Sequence, residues 1–237
     1  LHHAHNFIAQ ATTPHQMKFS FTSVVANCAS GGGNSINFFT TSAQRHDLTA
    51  VELHLVDSTF LSQNLGTRPA SNLKLSLIKA TTGLFISVSA STLTAYSSGA
   101  SSSVNIYAEF TSEQLVTNNS VLVESGSHLT SSSVGTSGII DEVPTVNIHL
   151  GRLFTRALQI DTNISVFDSI LSATSTTTAS HSLLVQAAAA KNVVITCRNA
   201  ELSATTSSTQ RLYGASGLTL HLGPKGGLSE GFFWHAE

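Results

Sequence analysis

Short alternations of hydrophobic and polar residues run along most of this chain and predict β-strands. Val, Ile and Leu alternate with Ser, Thr or Asn, and clusters of Ser, Gly and Thr separate one alternation from the next. Helical periodicity is almost absent, and the helix-prone run QAAAAK at 186–191 is too short to be stable as an isolated helix. Clear examples of the strand pattern are VELHLVD (51–57), NLKLSLI (72–78), VNIYAEF (104–110), NISVFDSIL (163–171) and NVVITCRNAEL (192–202). The pattern predicts an all-β fold.

The strand pattern repeats with a degenerate period. The segment KNVVITCRNAELSATT at 191–206 looks like an imperfect copy of TNISVFDSILSATST at 162–176. A small or polar residue followed by a hydrophobe and a hydroxyl recurs along the chain, with marker hydrophobes at Phe60, Leu93, Leu129, Leu171 and Leu202, separated by 33, 36, 42 and 31 residues. Such periods are typical of solenoids, in which each unit buries its apolar face against its neighbours. Because no helix lies between the strands, a β-solenoid is favoured.

Asparagine recurs just before or at the start of the predicted strands, at Asn72, Asn105, Asn147, Asn163 and Asn192. Asn tolerates the left-handed backbone region and can bond its own neighbouring backbone, which suits a bend between strands. Stacked in successive coils, the amides can also pair with one another. These five residues are therefore predicted to form a structural turn ladder.

The pattern Asn-hydrophobe-x-hydrophobe, then a small or polar residue, then a hydrophobe resembles one coil of the right-handed parallel β-helices of the pectate-lyase-like superfamily. The likeness covers residues 48–222 and implies roughly six or seven coils. The Ser/Thr-rich, charge-poor composition also resembles large kinetoplastid surface proteins of the dispersed gene family type. A β-sandwich or jelly roll has similar strand alternation and stays an alternative fold.

The two ends fit the repeat less well. Residues 1–47 contain strand-like runs at 18–26 and 35–41 around the glycines at 31–33, and are expected to form an N-terminal cap or tail with a hairpin or linker. Residues 223–237, with Phe232, Phe233 and Trp234, are expected to form a C-terminal aromatic cap or tail. An open solenoid end needs a cover because its edge strands are otherwise unpaired.

The composition and charge of the chain limit the kinds of molecule that are expected to bind it. Charged residues make up 10% of the chain, and a net charge of -2 with a pI near 6.6 gives no electrostatic reason to expect nucleic acid or an anionic membrane. No apolar run reaches the roughly 18 residues of a membrane helix, so direct membrane insertion is not expected. The start of the chain suggests a processed product or a fragment of a larger protein.

The two cysteines, Cys28 and Cys197, make neither a disulfide framework nor a CxxC metal site. Cys197 is in phase with Val193 and Ile195 and is predicted to point inward with them as a small apolar side chain. Whether the two thiols form a disulfide is left open.

No catalytic constellation is recognisable. The resemblance implies that polysaccharide hydrolases on this fold would carry clustered aspartates with nearby Gly-His-Gly and Arg-Ile-Lys motifs, and none of these occurs. A lyase would need several acidic calcium ligands and a basic residue on one face. Asp57 and Asp168 instead align with Asn199, which favours a turn role for both. No catalytic residue, metal or cofactor is assigned, and the chain leans towards a non-enzyme.

Three histidines share the triplet Leu/Ile-His-Leu at the centre of a predicted strand: His54, His149 and His221. If they lie in equivalent coils, they could line one face as a ligand-binding stripe. The alternative is three unrelated outward side chains. The cluster of His2, His3 and His5 could hold a metal, or could be an expression remnant or a disordered tail.

Two Asn-x-Ser sequons, at Asn118 and Asn163, are possible glycosylation sites if the protein is secreted. The hydroxyl-rich runs ATSTTTAS (173–180) and ATTSSTQ (204–210) follow the same marker Leu in consecutive copies, so they should stack, and are expected to be loops on one side.

These features predict a non-enzymatic structural or adhesive β-solenoid module, extracellular or displayed on a cell surface and part of a larger protein. Its expected partners are carbohydrate, another surface protein, or neighbouring segments of the same longer chain. One alternative is a carbohydrate-active β-helix enzyme or tailspike, which predicts that Asp141, Glu142, Arg152 and Arg156 converge on one groove. Another is an ice-binding solenoid with a flat Thr face.

Overall fold

A computed structural model describes residues 3–11, 16–42, 48–77, 81–99, 102–110, 115–134, 144–151, 158–176, 179–187, 189–207, 215–222 and 232–236. Within these residues the chain forms strands and no helix. The strands are β1 (Ala4–Ala11), β2 (Met17–Thr22), β3 (Val25–Ser30), β4 (Ser35–Ser42), β5 (Leu48–Val56), β6 (Thr59–Asn64), β7 (Ala70–Leu77), β8 (Thr81–Ser89), β9 (Thr92–Ser97), β10 (Ser103–Phe110), β11 (Leu115–Glu124), β12 (His128–Ser133), β13 (Thr145–Leu150), β14 (Leu158–Phe167), β15 (Ile170–Ser175), β16 (Ser180–Ala187), β17 (Ala189–Arg198), β18 (Glu201–Thr206), β19 (Ala215–Leu222) and β20 (Phe232–Ala236).

The strands form three sheets, and the chain visits the sheets in turn. Sheet A has the order β1-β4-β7-β10-β13-β16-β19, sheet B the order β2-β5-β8-β11-β14-β17-β20, and sheet C the order β3-β6-β9-β12-β15-β18. One strand from each sheet makes a coil, so the described strands form six complete coils and two strands of a seventh. At about 4.8 Å per strand, sheet A spans about 29 Å from β1 to β19. The predicted all-β parallel solenoid is confirmed.

All pairings within the sheets are parallel, as in β6 with β9 and β9 with β12. A sandwich or jelly roll is instead built from antiparallel strands. The alternative fold is therefore wrong for the described part of this chain.

Stacked columns of aliphatic side chains fill the interior. In sheet C the marker hydrophobes pair directly from coil to coil: Phe60, Leu93, Leu129, Leu171 and Leu202. In sheet B one column runs through Leu53, Ile86, Val121, Ile164 and Ile195, each 0% exposed. Because every coil places its column on the next, burial of each side chain depends on both neighbouring coils.

The corner between sheets B and C has a left-handed residue in every complete coil. Its members are Ser23, Asp57, Ala90, Ser125, Asp168 and Asn199, with φ between 48° and 59°. Asp and Asn adopt this conformation more readily than other non-glycine residues because their side chains bond locally. Asp57 and Asp168 therefore lie at a left-handed turn, which confirms their predicted turn role. The side chains of this turn also pair between coils, since Asn199 Nδ2 donates to Asp168 Oδ1 over 2.7 Å.

A second left-handed column bends the strands of sheet B near their starts. It contains Ala50, Gly83, Asn118, Asp161 and Asn192, with φ between 51° and 80°. Asn192 Nδ2 donates to Asp161 Oδ1 over 2.8 Å, so Asn192 stacks on Asp161 and not on Asn163. The register accordingly pairs Ile195 with Ile164 and Cys197 with Val166.

The N-terminal segment differs from the expected cap. β2, β3 and β4 lie in three different sheets, and each pairs in parallel with a later strand. The predicted hairpin around the glycines at 31–33 is wrong, because these residues connect sheet C to sheet A at a coil corner. The strands β1 to β4 therefore belong to the solenoid, although they lie in the segment expected to precede it.

The C-terminal segment also contributes a strand. β20 pairs in parallel with β17, placing Phe233 beside Val194 in the backbone register. Over residues 232–236 the expected aromatic cap or tail is therefore a strand of sheet B.

Candidate functional site

The outer surface of sheet C carries hydroxyl side chains in register. Nine of its eighteen outward positions are Ser or Thr: Thr59, Thr92, Thr94, Thr130, Ser132, Ser172, Thr174, Ser203 and Thr205. One row pairs Thr94 with Thr130, Thr130 with Ser172 and Ser172 with Ser203. Among these outward positions Glu201 is the one Asp, Glu, Lys or Arg. This surface is called the hydroxyl face below.

The regular register of the hydroxyl face follows from the interior. Every described strand of sheet C has six residues, and in five of the six strands the second residue is a marker hydrophobe; in β3 it is Ala26. Behind these lie small residues in register, including Ala95, Ser131 and Ala173. Their parallel strands fix the outward side chains at a spacing of about 4.8 Å between coils. The face can therefore contact an extended ligand at several equivalent positions.

A shallow groove of about 480 Å³ adjoins the hydroxyl face at the corner between sheets B and C. Its lining includes Asp168, Asn199, His128, Ile170 and Glu201. The hydrogen bond between Asn199 and Asp168 fixes one wall, and Ile170 is 37% exposed and supplies apolar surface. The groove thus combines carboxylate, amide and imidazole groups with the apolar side chains of Ile170 and Ala200.

The outer surface of sheet B has a different character. Lys18 Nζ lies 2.9 Å from Glu52 Oε2, and His54 Nε2 lies 3.4 Å from the same oxygen. The hydrogen bond from Lys18, followed by that from His54, lowers the pKa of Glu52. The Arg198 guanidinium lies 5.0 Å from the centre of the Phe167 ring. Charged and aromatic groups distinguish this surface from the hydroxyl face.

An asparagine ladder runs along sheet A. Nδ2 donates to Oδ1 of the next asparagine from Asn6 to Asn37 (2.5 Å), Asn37 to Asn72 (2.7 Å), Asn72 to Asn105 (2.7 Å) and Asn105 to Asn147 (2.8 Å). Asn37, Asn72, Asn105 and Asn147 are all 0% exposed. The ladder stabilises the fold from within and offers no ligand site.

Three of the five predicted ladder asparagines, Asn72, Asn105 and Asn147, are in the ladder. Asn163 and Asn192 lie in sheet B and are not members, which corrects the sequence alignment. The reason is that Asn occurs in two structurally different places. In sheet A it is a buried strand residue and not the predicted turn residue, whereas in sheet B it occurs in the left-handed column. Asn6 and Asn37 were missed because their segment was assigned to the cap. The Asn-hydrophobe pattern at Asn6-Phe7 and Asn37-Phe38 carried the signal.

The three Leu/Ile-His-Leu histidines do not form a stripe. His54 lies on β5 of sheet B, whereas His149 and His221 lie on β13 and β19 of sheet A. The register aligns His149 with Leu184 and His221 with Gln186, so these two belong to different rows. The predicted stripe is wrong because the triplet marks the centre of a strand in any sheet.

His149 is instead a buried structural residue. Its side chain stacks on Tyr107, with ring centres 4.8 Å apart and planes inclined by 16°. Its Nε2 lies 2.7 Å from Gln186 Oε1. Burial lowers the pKa of His149 to about 4, although the hydrogen bond with Gln186 opposes that shift. Burial also lowers the pKa of His181 to about 4.

The two N-terminal histidines that the structure describes, His3 and His5, lie in the first coil. His5 is in β1, and its ring centre lies 5.6 Å from that of Phe39. His3 Nδ1 accepts a hydrogen bond from the backbone N–H of Asn34. Burial, followed by the nearby charges of His3 and Lys74, lowers the pKa of His5. His2 lies outside the described residues. The disordered-tail hypothesis is wrong for His5, which belongs to a strand.

Both sequon asparagines have exposed side chains. Asn118 occupies the left-handed column of sheet B, and Asn163 lies on the outer surface of the same sheet. The Ser165 hydroxyl donates to Asn163 Oδ1 at 3.4 Å. Both asparagines lie on strands of sheet B, so a glycan attached to either would leave the hydroxyl face of sheet C uncovered.

The two cysteines are free and buried. Cys28 lies on β3 and Cys197 on β17, five coils apart, so a disulfide between them within one chain is excluded. Cys197 is 6% exposed and points inward, as predicted. Burial raises its pKa to about 11.

Four residues of the enzyme alternative, Asp141, Glu142, Arg152 and Arg156, lie outside the described residues. Within the described part of the chain, no group of three or more His, Cys, Asp or Glu could hold a metal ion. The described segments also include no helix of the length and apolar character that crosses a bilayer. The hydroxyl-rich runs were expected to be loops, but residues 173–175 and 204–206 are strand residues of sheet C.

No protein-family model, curated protein or solved structure matches this chain.

Sequence reasoning missed most of the hydroxyl face. The signal was the alternation on either side of the marker hydrophobe, as in Thr92-Leu93-Thr94. The inward residues of that alternation predict the repeat. Its outward residues predict a common surface only when the strands that carry them are known to lie in one sheet.

Proposed function

We propose that this chain is a non-enzymatic adhesive module that binds an extended carbohydrate through its hydroxyl face. The observation that supports the proposal is the row Thr94, Thr130, Ser172 and Ser203, which repeats a hydroxyl in four successive coils of sheet C. The module would act outside the cell or on its surface, as part of a larger protein. Another surface protein is the alternative partner.

The chemistry of the face suits a carbohydrate. A Ser or Thr hydroxyl can both donate and accept a hydrogen bond, as can the hydroxyls of a sugar. Tyr96 lies on the same surface and offers an aromatic plane to a sugar ring. The near absence of charge on the face favours a neutral ligand over an anionic one.

The expected affinity per contact is small. A hydrogen bond exchanged with water contributes about 0.5–1.5 kcal/mol, and exposed hydroxyls lie at the lower end. A tight single-site interaction is therefore not expected. An extended ligand that contacts several coils at once gains from effective concentration, which suits adhesion to a polymer or a glycan-coated surface.

The proposal also includes relationships to two protein families. The Asn-hydrophobe coils, with their buried ladder, support membership of the pectate-lyase-like β-helices with right-handed winding. The likeness in composition to kinetoplastid surface proteins supports display on a cell surface.

The ice-binding alternative draws on the same row of hydroxyls. Ordered water would have to match the spacing of the face, but Asn27 and Leu61 interrupt the row at its first two strands. Thermal hysteresis measured on the intact chain decides this alternative. If the intact chain shows thermal hysteresis and Thr130→Arg abolishes it, ice binding would replace the adhesive proposal.

Binding of the intact chain to a panel of neutral, acidic and sulfated glycans tests the proposal. The variant Thr130→Arg places a bulky charge at the centre of the hydroxyl face, and Ser165→Arg places it on the outer surface of sheet B. We expect neutral-glycan binding to fall at least ten-fold for Thr130→Arg and to be unchanged for Ser165→Arg. Absence of glycan binding, or equal loss in both variants, would overturn the proposal.

A further inference from the structure

The inward side of sheet B turns polar at two neighbouring strands, β11 and β14. One inward row of this sheet holds, in successive coils, Val51, Leu84, Asn119, Thr162 and Val193. Asn119 is 2% and Thr162 1% exposed, and the register pairs these two residues directly. The row therefore places an amide beside a hydroxyl inside the core, with aliphatic side chains on either side of them.

A third buried polar side chain, Gln159, comes from the same strand as Thr162. Gln159 is 0% exposed and holds the inward position that is Val116 in the preceding coil and Ala190 in the following one. A core of aliphatic columns thus carries polar residues in two of its rows. Asn119, Thr162 and Gln159 are called the core polar site below.

Most side-chain polar atoms of the core polar site lack a hydrogen bond. Among the described residues, no group pairs with Nδ2 or Oδ1 of Asn119, with Oγ1 of Thr162 or with Oε1 of Gln159. The exception is Gln159 Nε2, which donates to the backbone carbonyl of Gln186 over 3.0 Å. A buried polar group without a partner costs free energy, because it has given up its hydrogen bonds with water.

The pairing seen in the asparagine ladder does not satisfy Asn119. In sheet A, Asn105 Nδ2 donates to Asn147 Oδ1 over 2.8 Å, from one amide to the amide of the next coil. Asn119 instead has Leu84 and Thr162 as its neighbours in the row, so no second amide stands beside it there. Buried polar groups that a chain does not pair are typically bonded by internal water.

We propose that the core polar site binds ordered water that bridges Asn119, Thr162 and Gln159. Water fits the chemistry of the site because it both donates and accepts hydrogen bonds. Nδ2 of Asn119 is a donor, the two amide oxygens are acceptors, and the Thr162 hydroxyl is both. A cation fits less well, because it would meet Nδ2 as well as the oxygens and the three side chains supply no carboxylate to offset its charge.

The core polar site lies inside the solenoid, whereas the hydroxyl face lies on its outer surface. Bound water at this site therefore does not depend on glycan binding, and the failure of either proposal leaves the other standing. The site also lies between coils on both sides, since Leu84 precedes it and Val193 follows it in the row.

A high-resolution crystal structure of the intact chain tests the proposal. We expect a solvent atom at about 2.7–3.2 Å from Thr162 Oγ1 and from at least one of the two amide side chains. Crystals grown in rubidium chloride provide the control for a cation, because rubidium at the site would give an anomalous signal. Three results would overturn the proposal: a site without solvent density, a direct hydrogen bond between Asn119 and Thr162 with no solvent atom, and a rubidium signal.

Unfolding of variants in urea gives a second test through the sign of its effect. Asn119→Leu and Thr162→Val introduce the residue types of the neighbouring coils, and Thr196→Val makes a similar change on the outer surface of sheet B. If water bridges the site, each of the first two substitutions lowers the urea midpoint because the water loses a partner. The double variant should then lose less than the sum of the two, since both act on the same water.

The control Thr196→Val should leave the urea midpoint nearly unchanged. A higher midpoint for both Asn119→Leu and Thr162→Val would overturn the proposal, because removing a dry, unpaired polar group from a core is stabilising. Strictly additive losses would also overturn it, since they would show no shared water. If a variant does not fold, the crystal structure of the unmodified chain decides the question.

Discussion

Asn105 donates a hydrogen bond from its Nδ2 to Oδ1 of Asn147 over 2.8 Å, in a fully buried position. The same residue accepts one from Asn72 over 2.7 Å. Asn105 therefore both donates and accepts a hydrogen bond within the ladder. The ladder ends at Asn147, whose Nδ2 has no hydrogen-bond partner, because the next coil places Ser182 at the equivalent position.

Asn105→Ala should destabilise the fold by about 1–3 kcal/mol, because the buried Nδ2 of Asn72 loses its acceptor and Oδ1 of Asn147 keeps only the Ser131 hydroxyl as a donor. Asn163→Ala, on the exposed surface of sheet B, should change stability by less than about 0.5 kcal/mol. Urea unfolding followed by circular dichroism measures both. Similar effects of the two substitutions would contradict the ladder.

Ile195→Asp should destabilise the solenoid by more than about 3 kcal/mol, because it removes a core side chain and buries an unpaired charge. Thr196→Asp lies one residue further along the strand, on the outer surface, and should have a small effect. Thermal melts of the two variants compare the faces directly. A melting curve of wild-type shape and midpoint for Ile195→Asp would show that the register is wrong.

Ala90→Gly should stabilise the protein by about 0.5–1 kcal/mol, because Ala90 has a φ of 48° and a Cβ is unfavourable in this region. Ala95→Gly, in an ordinary strand position of the same coil, should instead destabilise it by a similar amount. The opposite signs can be read from denaturant midpoints. Destabilisation by both substitutions would contradict a left-handed corner at Ala90.

The stability of the protein should depend on pH through its buried histidines. Burial lowers the pKa of His149 to about 4 from an ordinary value of 6.5. Between these values the unfolded chain binds a proton that the folded chain does not, so the free energy of unfolding should fall as the pH drops from 6.5 towards 4.

Unfolding measured at intervals from pH 8 to pH 4 tests this dependence. His149→Gln removes the titrating ring and should make the slope below pH 6.5 shallower. His181→Gln should do the same, because burial also lowers the pKa of His181 to about 4. A slope that neither variant changes would argue against buried neutral rings.

Both thiols should be unreactive in the folded protein. Cys28 is 3% and Cys197 6% exposed, and burial raises the pKa of Cys197 to about 11. A thiol reagent should therefore label neither residue in buffer and both in concentrated denaturant, since the thiolate is the reactive form. Rapid labelling of Cys197 in buffer would contradict its inward position.

The repeat could be predicted from the sequence because its marker hydrophobes occupy equivalent inner positions. Leu171 pairs with Leu202 and Leu129 with Leu171, as the alignment of their segments requires. Five successive coils place a large apolar residue at this core position, so the pattern can be recognised although the loops differ in length.

The asparagine alignment failed where two different physical demands select the same residue. Asn147 is placed by side-chain pairing inside sheet A, while Asn192 is placed by a left-handed backbone that Asp161 and Gly83 also satisfy. Sequence alone does not separate these causes. The first coil was missed for a related reason: its aromatic Phe19 and Phe21 and the nearby glycines resembled a cap and not a repeat.

The hydroxyl face could be predicted only in part, because assigning a surface requires knowing which sheet each strand joins. Thr94 and Leu122 both point outward, yet they lie on different sheets with different character.

Distances along the hydroxyl face test the central claim most directly, since stacked coils are what align its hydroxyls. Spin labels are placed at Thr59 with His128, Ile170 or Glu201, which share one row of sheet C, after both buried cysteines are replaced by alanine. The stacked coils predict backbone separations of about 10, 14 and 19 Å, rising by one strand spacing per coil. Separations that do not increase with coil number would contradict the parallel solenoid and, with it, the binding face.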